Sequence, residues 1–437
     1  MPTTYHNQNA LFVSRICVDR LFGHSTYDLR GEGVDLSKLL ILYGDNGSGK
    51  TTILNCVFHL LSPATNRGHR GALARVPFSR FSVTLGDNTM VTAKRADGNL
   101  VGSFEMTLVS DSFDSSISVE ADAEFKVKGS AGLSKPFFKS LGSLGLGLHF
   151  LSDERKIITD LAPPQDEDTD PDDFSDYLLK QKAGSLHSRN YLEKAIQRAV
   201  ESIRKQAIAG SGAGELNANT LYTNITRQIV SPYLRGPHKE SLGLSDLVDD
   251  LNRQAARSAS FARFGLSSEL PADDLLAALQ SPRAVEHSDL LHQILRPFVD
   301  GFKVRLDAQQ TLHDKISTFV ETINAFFQGK KISFRLGPGF VVTSDHGGII
   351  NPNVLSSGEK QLLLLLCNIL AAGGEASIFI IDEPELSLNV KWQRKLVDAL
   401  LDCTRDTRTQ FVLATHSLEL LTQHQHNVLK LEERTPV

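Results

Sequence analysis

Residues 39–51 read LLILYGDNGSGKT, an apolar run that passes directly into a glycine-rich loop ending in Lys50 and Thr51. Behind the loop, apolar residues recur with helical spacing until a Ser-Pro pair at Pro63. The predicted order is therefore strand, loop, helix. In that context the backbone N–H groups of the loop converge on one point, and glycines let a phosphate approach closely. We expect a phosphate-binding loop at residues 44–51.

Three segments in the last quarter of the chain carry further polar groups at the ends of apolar runs. Residues 355–361 (LSSGEKQ) place a Ser-Ser-Gly turn before an apolar helix, which is either an ordinary helix cap or an anion site. Residues 378–383 (IFIIDE) form an apolar strand that ends in an acidic pair, and residues 414–417 (ATHS) place a histidine after another apolar run. The alternative role for the acidic pair is an ordinary charge at a helix N-terminus. The alternative for the histidine is a buried position in the core.

Taken in order, these four segments resemble the Walker A, signature, Walker B and switch-histidine motifs of ATP-binding-cassette (ABC) ATPases. The form of the signature is typical of the RecF, SMC and OLD-like branch, and the resemblance covers residues 11–155 and 331–437. It implies an α/β fold, namely an ABC-type P-loop ATPase with an antiparallel β-subdomain and a helical insertion. It also implies a homodimer or higher homo-oligomer, in which the signature of one subunit completes the ATP site of the other.

ATP and Mg²⁺ are the cofactors that this resemblance implies, since phosphoryl transfer needs neutralised phosphates, a held metal ion and a positioned water. Thr51 and Asp382 are the expected metal ligands, Glu383 the residue that orients or deprotonates water, and His416 the contact to the γ-phosphate. The expected nucleotide-binding residues are Gly44, Asn46, Gly47, Ser48, Gly49, Lys50, Thr51 and Thr52, with Ser356, Ser357 and Gly358 acting across the dimer.

The chain divides into four predicted segments. Residues 1–160 form the first part of the ATPase domain, with alternating strands that predict an antiparallel meander, and residues 331–437 form the second part. Residues 161–177 are a proline-containing acidic linker. Residues 178–330 are a helical insertion whose last helix carries about two heptads, which favours a short arm or lid. Ser152 to Arg155 are either a helix cap or a polar contact to metal and water.

Bulk composition is that of an ordinary globular protein: 437 residues, 41% of them hydrophobic, with a net charge of -5. The four cysteines lie far apart without a Cys-x-x-Cys pair, which argues against a zinc site or a disulfide framework. The N-terminus lacks a signal-peptide profile, and no apolar run reaches the ~18 residues of a membrane span. We expect a cytoplasmic protein with no membrane contact.

The long separation between Lys50 and Leu355, 305 residues (355 − 50), favours the DNA-repair and defence branch over compact transporter subunits. Only 21 residues (437 − 416) follow His416, too few for the nuclease domain that overcoming-lysogenisation-defect proteins append there. The chain therefore resembles the ATPase subunits of the Septu and PARIS phage-defence systems. We expect an ATP-hydrolysing dimeric switch or scaffold that controls a separately encoded, nuclease-like effector in antiviral defence.

The sequence is also compatible with two other functions. A RecF-like repair ATPase would bind DNA, for which the basic segment 178–208 is the candidate contact, although a solvated helix face explains the same charges. A transporter ATPase subunit is the more distant alternative. A structural protein with an inactive site is disfavoured, because all five residues of the expected chemistry are present: Lys50, Thr51, Asp382, Glu383 and His416.

Overall fold

The computed structural model describes residues 11–31, 33–111, 114–127, 135–152, 157–160, 191–210, 244–281, 288–372 and 376–432. The chain forms two compact units, Met1–Tyr191 with Ala372–Val437, and Leu192–Ala371. The acidic linker predicted at 161–177 lies outside the described residues, and the expected division of the chain into four segments stays a prediction.

The described chain contains both β-strands and α-helices. The strands are β1 (Val13–Leu21), β2 (Ser25–Arg30), β3 (Leu39–Tyr43), β4 (Arg80–Leu85), β5 (Met90–Lys94), β6 (Phe104–Val109), β7 (Asp114–Val119), β8 (Gly147–Leu151), β9 (Ile157–Asp160), β10 (Lys330–Arg335), β11 (Gly339–Ser344), β12 (Ile349–Ile350), β13 (Ser377–Asp382), β14 (Thr409–Thr415) and β15 (Val428–Lys430). The helices are α1 (Lys50–Leu61), α2 (His69–Arg75), α3 (Lys135–Ser143), α4 (residues 191–210), α5 (Leu244–Phe264), α6 (Ala272–Leu279), α7 (Ser288–Phe326), α8 (Ser357–Ala371), α9 (Val390–Cys403) and α10 (Leu418–Leu421).

The first unit contains an antiparallel sheet in the order β2-β1-β4-β5-β6-β7. Its strands alternate as the sequence predicts: Phe81, Val83 and Leu85 of β4 are fully buried, because every second side chain faces the core. Asn88, at a φ of 67°, makes the turn from β4 to β5 in the left-handed region that asparagine tolerates better than most residues. The predicted antiparallel meander is confirmed.

A second sheet of the same unit has the order β15-β3-β14-β13-β8-β9, in which β9 is antiparallel to β8 and the other pairs are parallel. Every residue of β13 and β14 is buried, as expected for central parallel strands covered on both faces. Helix α1 packs against β5 of the antiparallel sheet and against β8, β13 and β14 of the parallel one. Their apolar side chains form one core.

A buried glutamine of β14 ties the two sheets together. The Gln410 side chain accepts a hydrogen bond from the Val13 amide (2.8 Å) and donates to the carbonyls of Val13 (2.9 Å) and Leu36 (2.8 Å). Val13 begins β1 of the antiparallel sheet, so this side chain links the main chain of that sheet to β14 of the parallel one.

The second unit is built on α7, a 39-residue helix about 58 Å long at 1.5 Å per residue. It packs against α5, β10 and α8, and the predicted heptad residues are buried: Leu312, Ile316, Phe319, Ile323 and Phe326. The helix is longer than the predicted two-heptad seam because residues 288–311 continue it through Pro297. The predicted α/β class and the helical nature of the segment before residue 330 are confirmed in the described residues.

Candidate functional site

The carboxyl ends of four parallel strands meet at one edge of the first unit. Tyr43 at the end of β3 pairs with Thr415 of β14, and Asp382 at the end of β13 pairs with Ala414. The next strand, β8, is in register with β13 up to Leu151. Open α/β sheets bind their ligands in the crevice outside these carboxyl ends. The fold therefore brings the glycine-rich loop, the acidic pair and the histidine, which are far apart in sequence, to one edge.

The glycine-rich loop between β3 and α1, the predicted phosphate cradle, is closely packed at one glycine and open at another. Gly47 (φ 85°) and Gly49 (φ 91°) occupy the left-handed region, and a Cβ added at Gly49 would lie 2.8 Å from Leu21 Cδ2. A Cβ at Gly47 would meet no atom within 4 Å, so that side of the loop is open. Helix α1 begins directly at Lys50, and the first N–H groups of a helix have no intrahelical acceptor. The loop thus presents main-chain donors to an anion.

Two polar side chains of this loop differ in how they are held. Lys50 is only 6% exposed, and its Nζ donates to the carbonyls of Gly44 (2.8 Å) and Asp45 (2.9 Å). The buried Ser48 hydroxyl has no hydrogen-bond partner among the described residues. A phosphate oxygen would supply the acceptor that the Ser48 hydroxyl lacks. Thr51, next along the helix, is exposed, and Thr52 is half-buried.

The acidic pair follows β13 in an unusual backbone conformation. Asp382 is 3% exposed at the last position of the strand. Glu383 has a φ of 47°, rare for a residue with a side chain, and its amide donates to the Ala414 carbonyl at 2.9 Å. Its Oε1 lies 3.1 Å from Nδ1 of His416. The structure therefore brings Glu383 and His416 within hydrogen-bond distance of each other.

A magnesium ion fits these residues. In the described part of the chain, no group of three or more His, Cys, Asp or Glu side chains is arranged to hold a metal by itself. Mg²⁺ is usually held by one or two carboxylates together with substrate phosphates, and not by a full protein cage. The Asp382 carboxylate and the Thr51 hydroxyl supply hard oxygen donors of that kind, at the strand end and the helix start.

Glu385 is a site residue to which sequence reasoning gave no role. Its carboxylate is buried (6% exposed), and its Oε1 accepts hydrogen bonds from the Thr415 hydroxyl and the His416 amide (3.3 Å). Its Oε2 has no hydrogen-bond partner among the described residues. The only sequence signal was a third acidic residue in the stretch Asp-Glu-Pro-Glu, because Thr415 is 30 positions away.

The Ser-Ser-Gly turn belongs to the second unit and uses one serine as a helix cap. The Ser356 hydroxyl accepts from the Glu359 amide (3.3 Å), while the Glu359 carboxylate accepts from the Ser356 amide (2.8 Å), a reciprocal capping box. Lys330 of β10 also donates to both oxygens of Glu359. Ser356 and Ser357 are exposed, and Gly358 is buried. The cap and the anion site are therefore compatible, because the exposed Ser357 takes no part in the capping box.

The pKa of Glu359 lies below its ordinary value. Burial alone raises the pKa of this carboxyl, but the hydrogen bond from Lys330, followed by those from Ser356, outweighs burial. Glu359 is therefore a charged group at the start of α8, where the helix dipole favours negative charge.

Other polar residues lie near the site or in the basic segment. Ser152 follows β8, but residues 153–156 lie outside the described chain. Asn389, six positions after Glu383, accepts a hydrogen bond from the Trp392 amide (3.0 Å) as the cap of α9. Residues 178–190 of the basic segment also lie outside the described chain. Arg204 donates to the carbonyls of Leu336 (3.1 Å) and Gly337 (2.5 Å) in the β10–β11 turn.

A family model described as "AAA domain, putative AbiEii toxin, Type IV TA system" matches residues 39–422, which is most of the chain. The chain belongs to this AAA family. The match begins at β3 and ends just after α10, so it includes the glycine-rich loop, the acidic pair and the histidine loop. The protein thus contains an AAA-family ATPase domain.

Two solved structures are similar in outline. One is an Smc head domain with an extended coiled coil, bound to the C-terminal domain of ScpA and derived from Pyrococcus furiosus; it is 11% identical, with a TM-score of 0.36, over 96% of this chain and 95% of that one. The other is an SmcHead bound to the C-winged helix domain of ScpA, 10% identical with a TM-score of 0.36, over 96% and 97%. No curated protein matches the chain. Among the described residues, no helix has the length and apolar character needed to span a membrane.

Proposed function

We propose that the protein binds ATP with Mg²⁺ at the carboxyl edge of its parallel sheet and hydrolyses it to ADP and phosphate. The observation that supports this best is the meeting, at one edge, of the phosphate cradle with Asp382, Glu383 and His416. Each of these groups has a task in phosphoryl transfer, in which catalysis consists almost entirely of positioning and charge stabilisation.

The chemistry follows from the chain's own side chains. Lys50, held at the loop carbonyls, places its charge against the β- and γ-phosphates. Thr51 and Asp382 hold Mg²⁺, which neutralises phosphate charge when bound. Glu383 orients a water and takes its proton as the water oxygen bonds to the γ-phosphorus and the bond to the β–γ bridging oxygen breaks. His416 contacts Glu383 through Nδ1, which leaves its Nε2 to contact the γ-phosphate.

The proposed working unit is an ABC-type dimer in which ATP is held between two copies of the chain. The exposed Ser357 at the start of the 15-residue helix α8 supports this, because a helix N-terminus with a hydroxyl attracts an anion. Ser356 and Gly358 complete that surface. ATP binding then closes the dimer and hydrolysis opens it, so that the protein acts as a switch or scaffold.

The proposed target of the switch is a separately encoded, nuclease-like effector in phage defence. The description of the family names a toxin of a Type IV TA system, which supports a protein that works as one part of a two-component system. A DNA-binding repair ATPase is the second candidate, because Lys194, Arg198 and Lys205 are exposed on one helix. That helix is less free for DNA than its sequence suggests, since Arg204 is engaged by the β10–β11 turn.

Removing the Lys50 charge tests the nucleotide site. Lys50→Ala should weaken ATP binding about 100-fold, since charge-assisted hydrogen bonds of roughly 3 kcal/mol are lost. Equilibrium titration with a fluorescent ATP analogue measures the effect. Lys94→Ala is the control, because Lys94 is exposed on β5 of the antiparallel sheet. Equal affinity in the Lys50 and Lys94 variants would contradict the proposed site.

A further inference from the structure

Glu385 has a buried carboxylate at the proposed catalytic edge that the chemistry above does not use. Burying a carboxylate is costly unless hydrogen bonds compensate, so its contacts indicate what it does there. Among the described residues, its side-chain hydrogen bonds go to the loop that carries the switch histidine: they come from the Thr415 hydroxyl and the His416 amide. The carboxylate therefore lies against the main chain of that loop.

The Thr415 hydroxyl extends this link by one residue. It donates to Glu385 and accepts from the Ser417 amide at 2.9 Å, so three consecutive residues of the loop depend on one carboxylate. The Ser417 hydroxyl donates to Gln393 (3.0 Å), whose amide nitrogen donates to the Leu388 carbonyl (2.9 Å). The loop is therefore bonded to the segment that follows the acidic pair through both Glu385 and Gln393.

The distances from the His416 ring to the two glutamates indicate different roles for Glu385 and Glu383. His416 Nδ1 lies 3.1 Å from Glu383, within hydrogen-bond range, but 3.6 Å from Glu385. Glu385 therefore acts on the histidine chiefly through its amide and its neighbour Thr415. Exposure agrees with this division, because the side chain of Glu383 is 28% exposed and that of Glu385 is 6% exposed.

We propose that Glu385 is a positioning residue for ATP hydrolysis: its carboxylate fixes the main chain of His416, so that the imidazole stays beside Glu383 and faces the γ-phosphate. The inference rests on the proposed ATPase function and assigns Glu385 no contact with ATP. It also explains why a carboxylate is buried there, since one oxygen accepts from two donors of the same loop.

A double-mutant cycle tests the inference. Glu385→Ala should lower kcat about 10- to 30-fold with KM for ATP changed less than about 2-fold, because a misplaced histidine affects the transition state and not nucleotide binding. His416→Ala should lower kcat at least as much. Because Glu385 acts through His416, the double variant should be no slower than His416→Ala, a non-additivity typical of coupled residues.

Two conservative variants separate positioning from general support of the fold. Glu385→Gln retains the accepting oxygen, and its amide nitrogen takes the place of Oε2, so kcat should stay within about 3-fold of the wild type. Thr415→Val keeps the shape of threonine but removes its hydroxyl, and should lower kcat in the same way as Glu385→Ala. If Glu385→Ala does not fold, the Thr415 and Gln variants decide the matter.

The outcomes distinguish the inference from the function on which it rests. A wild-type protein that binds but never hydrolyses ATP contradicts the proposed function. Wild-type turnover with multiplicative losses in the double variant overturns the positioning role alone, as does Thr415→Val at full kcat. Equal losses in kcat and ATP affinity for Glu385→Ala would also overturn it, since they indicate a general structural effect.

Discussion

Helix α1 begins at Lys50, and near its other end it carries half-buried His59, which lies against buried His69. His59 Nδ1 lies 2.8 Å from Nδ1 of His69, whose Nε2 lies 3.4 Å from Asp160. Arg67 also contacts Asp160 at 3.0 Å, and Arg70 donates to the His59 carbonyl. Burial and the neighbouring cations lower the pKa of His59 to about 4 and that of His69 to about 2, so both rings are neutral at pH 7.

These histidines predict that the protein loses stability in mild acid. Below about pH 6.5 the two imidazoles bind protons in the unfolded chain but stay neutral in the folded one. The free energy of unfolding should therefore fall by about 1.4 kcal/mol per pH unit for each ring. Urea unfolding between pH 7.5 and pH 5 measures this slope. His69→Gln should give a shallower slope, whereas His426→Gln, at an exposed histidine of the same unit, should not. Identical slopes for all three proteins would contradict the assignment.

Single residues of the site were predictable where a local pattern specifies them. The glycine-rich loop, Asp382 and His416 each follow an apolar strand, and they meet because strands β3, β13 and β14 are parallel. Glu385 was not predictable, because its partners lie on another strand and only the order of strands in the sheet brings them together. The positive φ of Glu383 likewise depends on the amide bond to Ala414, a tertiary contact.

At the scale of elements, helix α8 is anchored at its start by a partly buried ion pair. Lys330 Nζ lies 2.8 Å from Glu359, whose side chain is 7% exposed and also caps the helix. Helix α8 is buried over most of its length, so its packing holds the rest of the element. The ion pair therefore mainly fixes the position of the first turn of α8, which carries Ser357 and Gly358.

Removing this cation should destabilise the second unit. Lys330→Met leaves the Glu359 carboxylate without its partner and should cost about 1–3 kcal/mol in urea unfolding at pH 7. Because the pKa of Glu359 lies below 4.5, the difference should persist at neutral pH and shrink as the pH falls below that value. Lys331→Met is the matched control, since adjacent residues of a strand point to opposite faces and Lys331 is exposed. Equal unfolding curves for the two variants would refute the role of the pair.

The length of α7 shows where periodicity fails at this scale. The heptad pattern is clean only between Leu312 and Phe326, and this part packs as predicted. Upstream lies Pro297, and a proline inside a sequence pattern usually predicts the end of a helix. The charged residues Lys303 and Arg305 also interrupt the apolar pattern there. Packing against α5 supports the helix there, and such a contact between distant segments has no local sequence signal.

At the scale of the whole molecule, the proposed mechanism requires two copies of the chain. Glu383→Gln should retain the shape of the site but slow hydrolysis, so that ATP stays bound and the closed dimer accumulates. Ser357→Asp should abolish turnover while ATP binding to the phosphate loop persists, because an exposed negative charge at the helix start repels a phosphate from the partner without weakening the helix. Ser357→Asn is the neutral control.

Light scattering across a concentration series, with and without Mg-ATP, measures the first effect, and ATP hydrolysis assays measure the second. A mass of the Glu383→Gln variant that never responds to ATP, together with full turnover by Ser357→Asp, would contradict the composite site. Mixing Lys50→Ala with Ser357→Asp gives a further measure, because mixed dimers hold at most one intact site.

The strand order of the parallel sheet also constrains how the protein is made on the ribosome. β3 and β8 emerge early, but the strands that separate them in the sheet, β14 and β13, come from residues 377–415. The second unit, a continuous stretch from Leu192 to Ala371, is complete before either central strand has been synthesised. Until then the backbone N–H and C=O groups of β3 and β8 that later pair with β14 and β13 have no partner strand, and sheets closed by such distant strands form slowly. The nascent chain therefore carries the glycine-rich loop on an incomplete sheet until residues 377–415 have been synthesised, and only then do all four strands of the proposed nucleotide site come together.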